Sequence, residues 1–502
     1  MIENDIPFVD ICILVRIVPD NFYLACCVSV VCLYCSKTTL LGINTTPKKI
    51  QSKADNAEAF DYLTEEEENN SSDRVTSKQT QRAEGCEDNA RFLSNHYVLP
   101  TADHKFHPTG ATDWYGQNKP YIHAFSAYYD DRKLLFNSSS IVILGLTTIK
   151  HEGGFRCRFL YNNSTYFDSE PKVHIFSGIP FRKADGAGVK DFIFWCPLRF
   201  GTPSNVSVIQ VPRGKTLLTL PVSIPQKPKR IIPLSICVKN LYIPLEENYE
   251  PISAFRFTEW IEMNRLLGVE HFTIYVHSLP ETVHDVFYYY YKLGIIDVIS
   301  QGPINGDHFI QPRALSVNDC LYRNMYRYHK IINIDTDEVI VPTNYSNLTE
   351  FLARIDQENT IPVGDMIFPS RAFYTEAIPE HPSGLIFPFA STYVQDKITK
   401  NILDINRCLK VTSHYCIYVI PGNKVLSVDD KYGSNYHFKR CSTARLAKRP
   451  KDCDDAIASG KTDNRMRSFH PQLESRVKKA TVGIQELKMK MKIGNRRFGK
   501  KG

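Results

Sequence analysis

Two carboxylates spaced two positions apart offer the clearest chemistry in this sequence. Asp335 and Asp337 belong to the run Asp-Thr-Asp-Glu, which directly follows the apolar segment 330–334. Closely spaced carboxylate oxygens suit a hard divalent cation such as Mn²⁺ or Mg²⁺. Such a cation keeps open positions for the oxygens of a diphosphate and neutralises the charge that builds up on a diphosphate leaving group. The pattern therefore predicts a metal site for diphosphate chemistry.

The motif alone is weak, because an Asp-x-Asp arises by chance in a chain of 502 residues. A second copy, Asp452-Cys453-Asp454, lies in a charged C-terminal segment without an apolar pattern. Position separates the two copies, since the first follows a predicted strand and the second has no predicted scaffold. The alternative for the first copy is a turn in which aspartate only caps the backbone.

Strands and helices alternate in the segment that carries Asp335 and Asp337. The predicted elements are strands over 234–238, 271–276, 295–299 and 330–334 and helices over 253–267, 280–293 and 312–328. This alternation implies right-handed crossovers and a mainly parallel, twisted sheet in an α/β domain. Ligands of such sheets lie at the carboxyl ends of the strands, which is where both carboxylates fall.

Composition divides the whole chain into five parts. These are an N-terminal tail with a candidate membrane anchor over 1–50, a disordered acidic stem over 51–90, a smaller β-rich region over 91–229, the α/β domain over 230–445, and a basic, mostly disordered tail over 446–502. From Ser442 onward, 17 lysines and arginines face six acidic residues, so the rest of the chain has a formal net charge of −4. The body is therefore not a nucleic-acid-binding domain by charge, and we predict no nucleic acid partner.

Cysteines and glycosylation sequons bear on the compartment. Five of the 14 cysteines lie in the apolar N-terminal stretch, and the other nine form no CxxC, which disfavours zinc. Nine cysteines allow a few disulfides in an oxidising compartment and leave at least one thiol over. The sequons fit a lumenal chain. They start at Asn44, Asn69, Asn70, Asn137, Asn162, Asn163, Asn205, Asn344 and Asn347.

The uncharged segment 21–36 and the apolar residues 38–43 together approach the length that spans a bilayer. The alternatives are a buried helix and a cleaved signal sequence. Lysines after the segment favour a cytosolic C-terminus by the positive-inside rule, whereas the sequons favour a lumenal one. We follow the sequons and expect a single-pass membrane protein with a lumenal body.

Ordered motifs over 232–441 resemble glycosyltransferase family 92, known from nematodes and plants. The matching pieces are Ser235-Ile236-Cys237-Val238, Trp260-Ile261-Glu262, Leu267-Gly268-Val269, Gln311 with Ala314, Asn318-Asp319-Cys320-Leu321, Asp335-Thr336-Asp337-Glu338 and Ile340-Val341-Pro342. Upstream, 127–132 and 196–198 look like the β-rich N-terminal region of that family. The resemblance implies a GT-A-like fold, Mn²⁺, and inverting transfer of galactose from a UDP-sugar to a glycan or glycoprotein. It also implies a Golgi type II membrane protein with a lumenal catalytic domain.

The resemblance also assigns roles to residues at the metal. Asp335 and Asp337 would hold the cation, His437 would complete the site, and Glu338 would support the turn. His414 is a second candidate ligand, and a strand histidine with a structural role is its alternative.

Further roles concern the nucleotide and the diphosphate. The predicted nucleotide contacts are Gln311, Asn318 and Asp319. For Asn318 and Asp319 the alternative is a helix-surface pair without a ligand. Lys439 would contact the diphosphate, although it and Phe438 stand where the family has Arg and Tyr. As a lysine, it supplies a point charge without bidentate geometry.

Inversion needs a carboxylate base on the acceptor hydroxyl. Glu376 and Asp365 both follow the Asp-x-Asp, and Glu376 is favoured because it comes after the aromatic run 372–375. The sequence leaves both candidates open. A competing interpretation is a non-catalytic glycan- or UDP-binding relic of the same fold, which the altered motif around His437 favours.

Overall fold

Backbone elements of the computed structural model lie in two units. The described ranges are 11–16, 23–28, 114–118, 121–149, 153–162, 166–176, 181–182, 188–241, 253–277, 279, 281–301, 313–441 and 450–498. In the first unit, strands β1 (Ile11–Arg16) and β2 (Tyr23–Val28) pair antiparallel. All other described elements belong to the second unit.

The predicted membrane anchor falls largely outside the described residues. Its described part is strand β2. Across the ranges given above, no helix has both the length and the apolar character needed to cross a bilayer. The predicted stem over 51–90 lies wholly outside the described residues.

Two antiparallel sheets build the β-rich region. The larger has the order β3-β4-β5-β10-β8 with β9 paired to β10, and the smaller has the order β12-β11-β6-β7. Their strands are β3 (Tyr115–Asn118), β4 (Tyr121–Asp130), β5 (Ser140–Thr147), β6 (Phe155–Leu160), β7 (Tyr166–Ser169), β8 (Lys172–Ile175), β9 (Phe181–Arg182), β10 (Gly188–Pro197), β11 (Asn205–Gln210) and β12 (Lys215–Pro221). The predicted β-rich region is therefore confirmed.

The larger sheet is buried on both faces. Ile141 and Ile143 of β5 pack in the core with the smaller sheet, whereas Val142 and Leu144 pack in a core shared with the α/β domain. All four side chains are fully buried. Successive side chains of a strand point to opposite faces, so a strand buried on both sides is apolar throughout.

The α/β domain is built on one mixed sheet with the order β15-β14-β13-β16-β19-β18-β23-β17, with β22 paired to β18 and β24 to β19. Its strands are β13 (Ile232–Leu241), β14 (His271–Val276), β15 (Ile296–Ser300), β16 (Tyr328–Asn333), β17 (Glu338–Pro342), β18 (Val363–Tyr374), β19 (Thr392–Asp404), β22 (Lys424–Ser427), β23 (Gly433–Lys439) and β24 (Lys461–Thr462). A separate hairpin pairs β20 (Cys408–Val411) with β21 (Cys416–Val419). The helices are α1 (Ala254–Leu266), α2 (Glu281–Lys292), α3 (Arg313–Arg323), α4 (Leu348–Glu358), α5 (Pro450–Ala458) and α6 (His470–Phe498).

The predicted α/β class is confirmed, and the sheet is mixed, with β17 and β19 running opposite to its other strands. Strands β15, β14, β13 and β16 are parallel, as the alternating pattern predicted. Beyond them the sheet is mixed, because β19 runs antiparallel to both β16 and β18. The sheet also curls. Three strands separate β16 from β17, yet a tight turn closed by the bond from Glu338 N to Asp335 O (3.1 Å) connects them.

Helices α1, α2 and α6 pack together beside this sheet. Helix α1 begins after Ser253, whose Oγ accepts from the N–H of Arg256, and ends before Gly268 at φ +98°. Such a positive φ favours glycine because it has no Cβ.

The C-terminal segment corrects a prediction. A mostly disordered tail was expected over 446–502, whereas most of 450–498 is helical, and α6 buries Leu473, Val477 and Ala480 in the main core. These three residues form a narrow apolar stripe at helical spacing. Because the rest of the helix is rich in lysine and arginine, the amino-acid composition of the segment does not reveal this stripe.

Four disulfides link the described residues: Cys157–Cys196, Cys237–Cys320, Cys408–Cys416 and Cys441–Cys453. The first joins the two sheets of the β-rich region, and the second ties β13 to α3. The expectation of a few disulfides is confirmed. The ninth cysteine of the set, Cys86, lies outside the described residues.

Candidate functional site

The Asp-Thr-Asp-Glu turn lies at the carboxyl end of β16, and Glu338 holds it together. The buried Glu338 side chain accepts from the N–H of Asp335 through Oε2 (2.9 Å). Its carbonyl oxygen accepts from Trp260 Nε1 (2.9 Å), which fixes the turn to helix α1. Glu338 therefore supports the turn as the resemblance implied.

Two lysines share one oxygen of Asp335. Lys400 Nζ is 2.8 Å from Asp335 Oδ2, and Lys239 Nζ is 3.1 Å from the same atom. Lys400 is 3% exposed and also lies 2.8 Å from Glu338 Oε2. Burial would raise the pKa of the Asp335 carboxyl, but the two ammonium groups outweigh burial and lower it. Sequence reasoning missed both lysines. Lys239 lies near the end of the apolar strand β13, and Lys400 lies inside β19, whose position was not predicted.

Asp337 and His437 face each other across the turn. Strand pairing sets Glu338 opposite His437, and Asp337 Oδ2 lies 3.3 Å from His437 Nε2. The Asp337 side chain is 47% exposed. Burial lowers the pKa of His437, but the carboxylates of Asp337 and Glu338 prevail and raise it to about 10. The predicted proximity of Asp337 and His437 is thus observed.

The side chains of Asp337 and His437 supply ligand atoms that suit a divalent cation. A carboxylate oxygen and an imidazole nitrogen are both ligands that Mn²⁺ accepts. Two buried atoms beside them, Glu338 Oε1 and His437 Nδ1, have no hydrogen-bond partner among the described residues. Asp335 fits less well, because its Oδ2 is already bonded to two ammonium groups. Within the described part of the chain, no three or more His, Cys, Asp and Glu residues form a ready metal-binding group.

Lys439 lies next to this pair, beside a carboxylate that the sequence did not single out. Lys439 Nζ is 2.6 Å from Asp396 Oδ2, and the same oxygen is 3.5 Å from His437 Nδ1. Burial raises the pKa of Asp396, but His437 and Lys439 outweigh that effect and lower it. Asp396 therefore belongs to the site through its contacts, and the predicted diphosphate contact of Lys439 remains a prediction.

Two predicted nucleotide contacts have another role. Asp319 is fully buried, and its two carboxylate oxygens accept four hydrogen bonds. The donors are Ser126, Tyr128, Tyr275 and Arg323. The bonds from Ser126 and Tyr128 come from the β-rich region, so Asp319 joins the two parts of the fold.

The side chain of Asn318 is also fully buried. Its amide donates to the carbonyl oxygens of Ala314 and Val411 and accepts from the N–H of Val411. The nucleotide-facing position predicted for Asn318 and Asp319 is therefore wrong, because both side chains are fully buried. Gln311 lies outside the described residues.

The two candidate bases differ in access. Asp365 is fully buried, accepts from Asn401 Nδ2 and the N–H of Cys416 (both 2.7 Å), and has its pKa raised by burial to about 6. A group enclosed in this way cannot reach an acceptor hydroxyl, so the prediction for Asp365 is wrong. Glu376 is exposed, and both its oxygens lie 3.1 Å from the N–H of Cys441, just beyond the strand that carries His437.

His414 lies near Lys400 and Lys239 rather than beside Asp337. Its Nδ1 is 2.8 Å from the carbonyl oxygen of Thr399. Burial, with Lys400 nearby, lowers the pKa of His414 to about 4. A neutral imidazole held by a backbone carbonyl agrees with the structural alternative for this residue.

Known proteins give three comparisons. A model of glycosyltransferase family 92 matches residues 232–486, about half of the chain. The chain is 27% identical over 333 residues to a Caenorhabditis elegans protein named beta-1,4-galactosyltransferase galt-1, which covers 63% of this chain and 73% of that protein. A solved 4-diphosphocytidyl-2C-methyl-D-erythritol synthase from Anaerococcus prevotii covers 45% of this chain and 97% of its own at 10% identity. Its TM-score of 0.21 carries no argument.

Proposed function

Because the chain belongs to glycosyltransferase family 92, we propose that it transfers a hexose from a UDP-sugar to a hydroxyl of a glycan or glycoprotein. The observation that carries the proposal is the pair Asp337 and His437, which lies at the end of a parallel strand among three lysines. A parallel half-sheet with its site at the carboxyl edge also supports a GT-A-like fold. Galactose is the proposed sugar, because the nematode relative is named a galactosyltransferase.

Asp337 and His437 would hold a divalent cation, preferably Mn²⁺. The bound cation would neutralise charge on the UDP leaving group. His437 must lose its proton to act as a ligand, so metal binding would release a proton. Glu338 and Lys400 would keep the turn in place while the donor binds.

Inversion requires a base on the side of the acceptor, and we propose Glu376 for it. Glu376 is exposed and follows strand β18, which pairs with the strand of His437. Its carboxylate is positioned by one backbone N–H, that of Cys441, and is open to solvent. With Asp365 enclosed, Glu376 is the one of the two candidates that an acceptor can reach.

We further propose that the enzyme works in the lumen of the secretory pathway, in the Golgi as a type II membrane protein. Four disulfides among the described residues fit an oxidising compartment. Exposed sequons at Asn137 and Asn344 fit the same compartment. The membrane anchor remains a prediction from the sequence.

The test compares Asp337→Asn with Asp454→Asn in the full chain. UDP release is measured over a panel of UDP-sugars with a glycan acceptor, in Mn²⁺ and in EDTA. Asp337→Asn keeps the shape and removes a ligand charge, so turnover should fall at least about a hundredfold, or roughly 3 kcal/mol in the barrier. Asp454 is exposed on α5, and its variant should match the unmodified protein.

Two outcomes would contradict the proposal. Near-normal, Mn²⁺-dependent transfer by Asp337→Asn would remove this residue from the site. No UDP release and no metal-dependent UDP binding by the unmodified chain would favour a glycan-binding relic instead.

A further inference from the structure

We propose that Lys239 is a diphosphate-binding residue of the donor site, an inference that rests on the proposed function. No sequence motif pointed to this lysine. Its assignment comes from its position on the sheet, its contact with Asp335 and its exposure.

Strand register brings Lys239 to the edge where a donor would bind. In the parallel pair of β13 and β16, Cys237 lies opposite Asn333. Lys239 comes two residues after Cys237 and Asp335 two residues after Asn333, and their side chains meet at 3.1 Å. This is the carboxyl edge of the parallel half-sheet, and phosphate groups bind at such edges in α/β proteins.

The three lysines of the site differ in what they can still contact. Lys400 is 3% exposed and lies between two carboxylates, Asp335 and Glu338, so it is enclosed as part of the turn. Lys439 is 18% exposed, close to Lys239, but it is held more tightly, at 2.6 Å, by Asp396. Lys239 is 21% exposed and has a longer contact with an oxygen that Lys400 already neutralises. Lys239 is therefore the cation best able to meet an incoming anion.

Contact with a diphosphate would not require Lys239 to leave Asp335. An ammonium group has three N–H donors, so it can donate to a carboxylate and to a phosphate oxygen at the same time. Asp335 would then orient the lysine instead of binding the metal. This division of labour agrees with the two ammonium groups on Asp335 and the exposed carboxylate of Asp337.

The test measures binding of UDP and of uridine to the full chain by calorimetry, in EDTA and in Mn²⁺. Lys239→Met should weaken UDP binding about tenfold or more in both conditions, the scale of one charge-assisted hydrogen bond. Uridine binding should not change, because uridine has no phosphate. Lys239→Gln is the second variant if Lys239→Met does not fold, and Lys439→Met tests the other partly exposed lysine of the site. Lys227→Met, at a lysine paired with Asp131 outside the site, is the control that should leave UDP affinity unchanged.

The outcomes separate this inference from the proposed function. Unchanged UDP affinity of both Lys239 variants, with Mn²⁺-dependent UDP binding by the unmodified chain, would overturn the role of Lys239 alone. A loss confined to Lys439→Met would move the diphosphate contact to Lys439. Equal losses for UDP and uridine would indicate a distorted site and would also overturn the role. No UDP binding by the unmodified chain would overturn both proposals.

Discussion

Asp191 is a buried carboxyl group at the junction of the β-rich region and the α/β domain, and it should make stability depend on pH. It lies on β10, and its Oδ1 accepts from the N–H of Leu315 near the start of α3 (3.0 Å). Burial raises the pKa of Asp191 from 3.8 to about 7, against the lowering effect of that hydrogen bond. We expect Asp191→Asn to remove the pH dependence that this shift creates.

The sign follows from counting protons. Between pH 5 and pH 7 the native carboxyl holds a proton that the unfolded chain has lost, so unfolding releases a proton. The free energy of unfolding then falls with a slope approaching about 1.4 kcal/mol per pH unit, which weakens near pH 7 where the native carboxyl is half ionised, so the total fall is about 2 kcal/mol over these two units. Above the native pKa both states are ionised and this contribution stays constant. Asparagine has no such proton, so the stability of Asp191→Asn relative to the unmodified protein should rise by about 2 kcal/mol from pH 5 to pH 7.

Urea unfolding at pH 5, 6, 7 and 8, followed by tryptophan fluorescence with the disulfides intact, measures this difference. A constant offset between the two proteins is immaterial, because only the change of the difference with pH is diagnostic. Asp168→Asn is the control, since hydrogen bonding to Arg158 lowers the pKa of Asp168 and places its titration below this window. A difference between Asp191→Asn and the unmodified protein that stayed constant within about 1 kcal/mol would refute the reasoning.

Three further predictions concern packing and modification. Asp319→Ala removes the acceptor of four buried hydrogen bonds, one of them from an arginine, and should lower the free energy of unfolding by roughly 3–5 kcal/mol in urea titrations. Leu473→Asp should lower the yield and melting temperature of soluble protein, whereas Val482→Asp, at an exposed position of the same helix, should change neither. In animal cells, Asn344→Gln should remove one N-glycan on a gel, whereas Asn205→Gln, at a half-buried strand position, should not.

Local patterns predicted helices α1, α2 and α3 and the parallel strands β13 to β16 well. The helix predicted over 253–267 is observed as α1, because apolar spacing and capping by Ser253 are properties of neighbouring residues. The mixed half of the sheet was missed. Its register depends on pairing between β18, β19 and β23, which are distant in the chain, and no local signal fixes such pairing.

Site residues were predicted correctly only where a single segment of sequence, or the family resemblance, pointed to them. Asp337 and His437 were predicted to act together, and they are adjacent. Lys400 was missed because it lies on β19, whose position was not predicted. Asp319 was misassigned because a polar residue on a helix looks like a surface residue. Its burial depends on Ser126 and other donors in the distant β-rich region, so one segment alone cannot reveal it.

The doubly buried sheet of β4, β5 and β10 has a consequence for protein engineering. One face of this sheet packs in the core that it shares with the smaller sheet, and the other packs in the core beside α3. Neither half of the second unit can therefore be excised without exposing a broad apolar surface. The residues from Trp114 onward should therefore melt in one cooperative transition, and a chimera that exchanged the β-rich region for a foreign module would aggregate. New acceptor preferences in this enzyme are thus better sought by changing loops at the rim of the site than by exchanging modules.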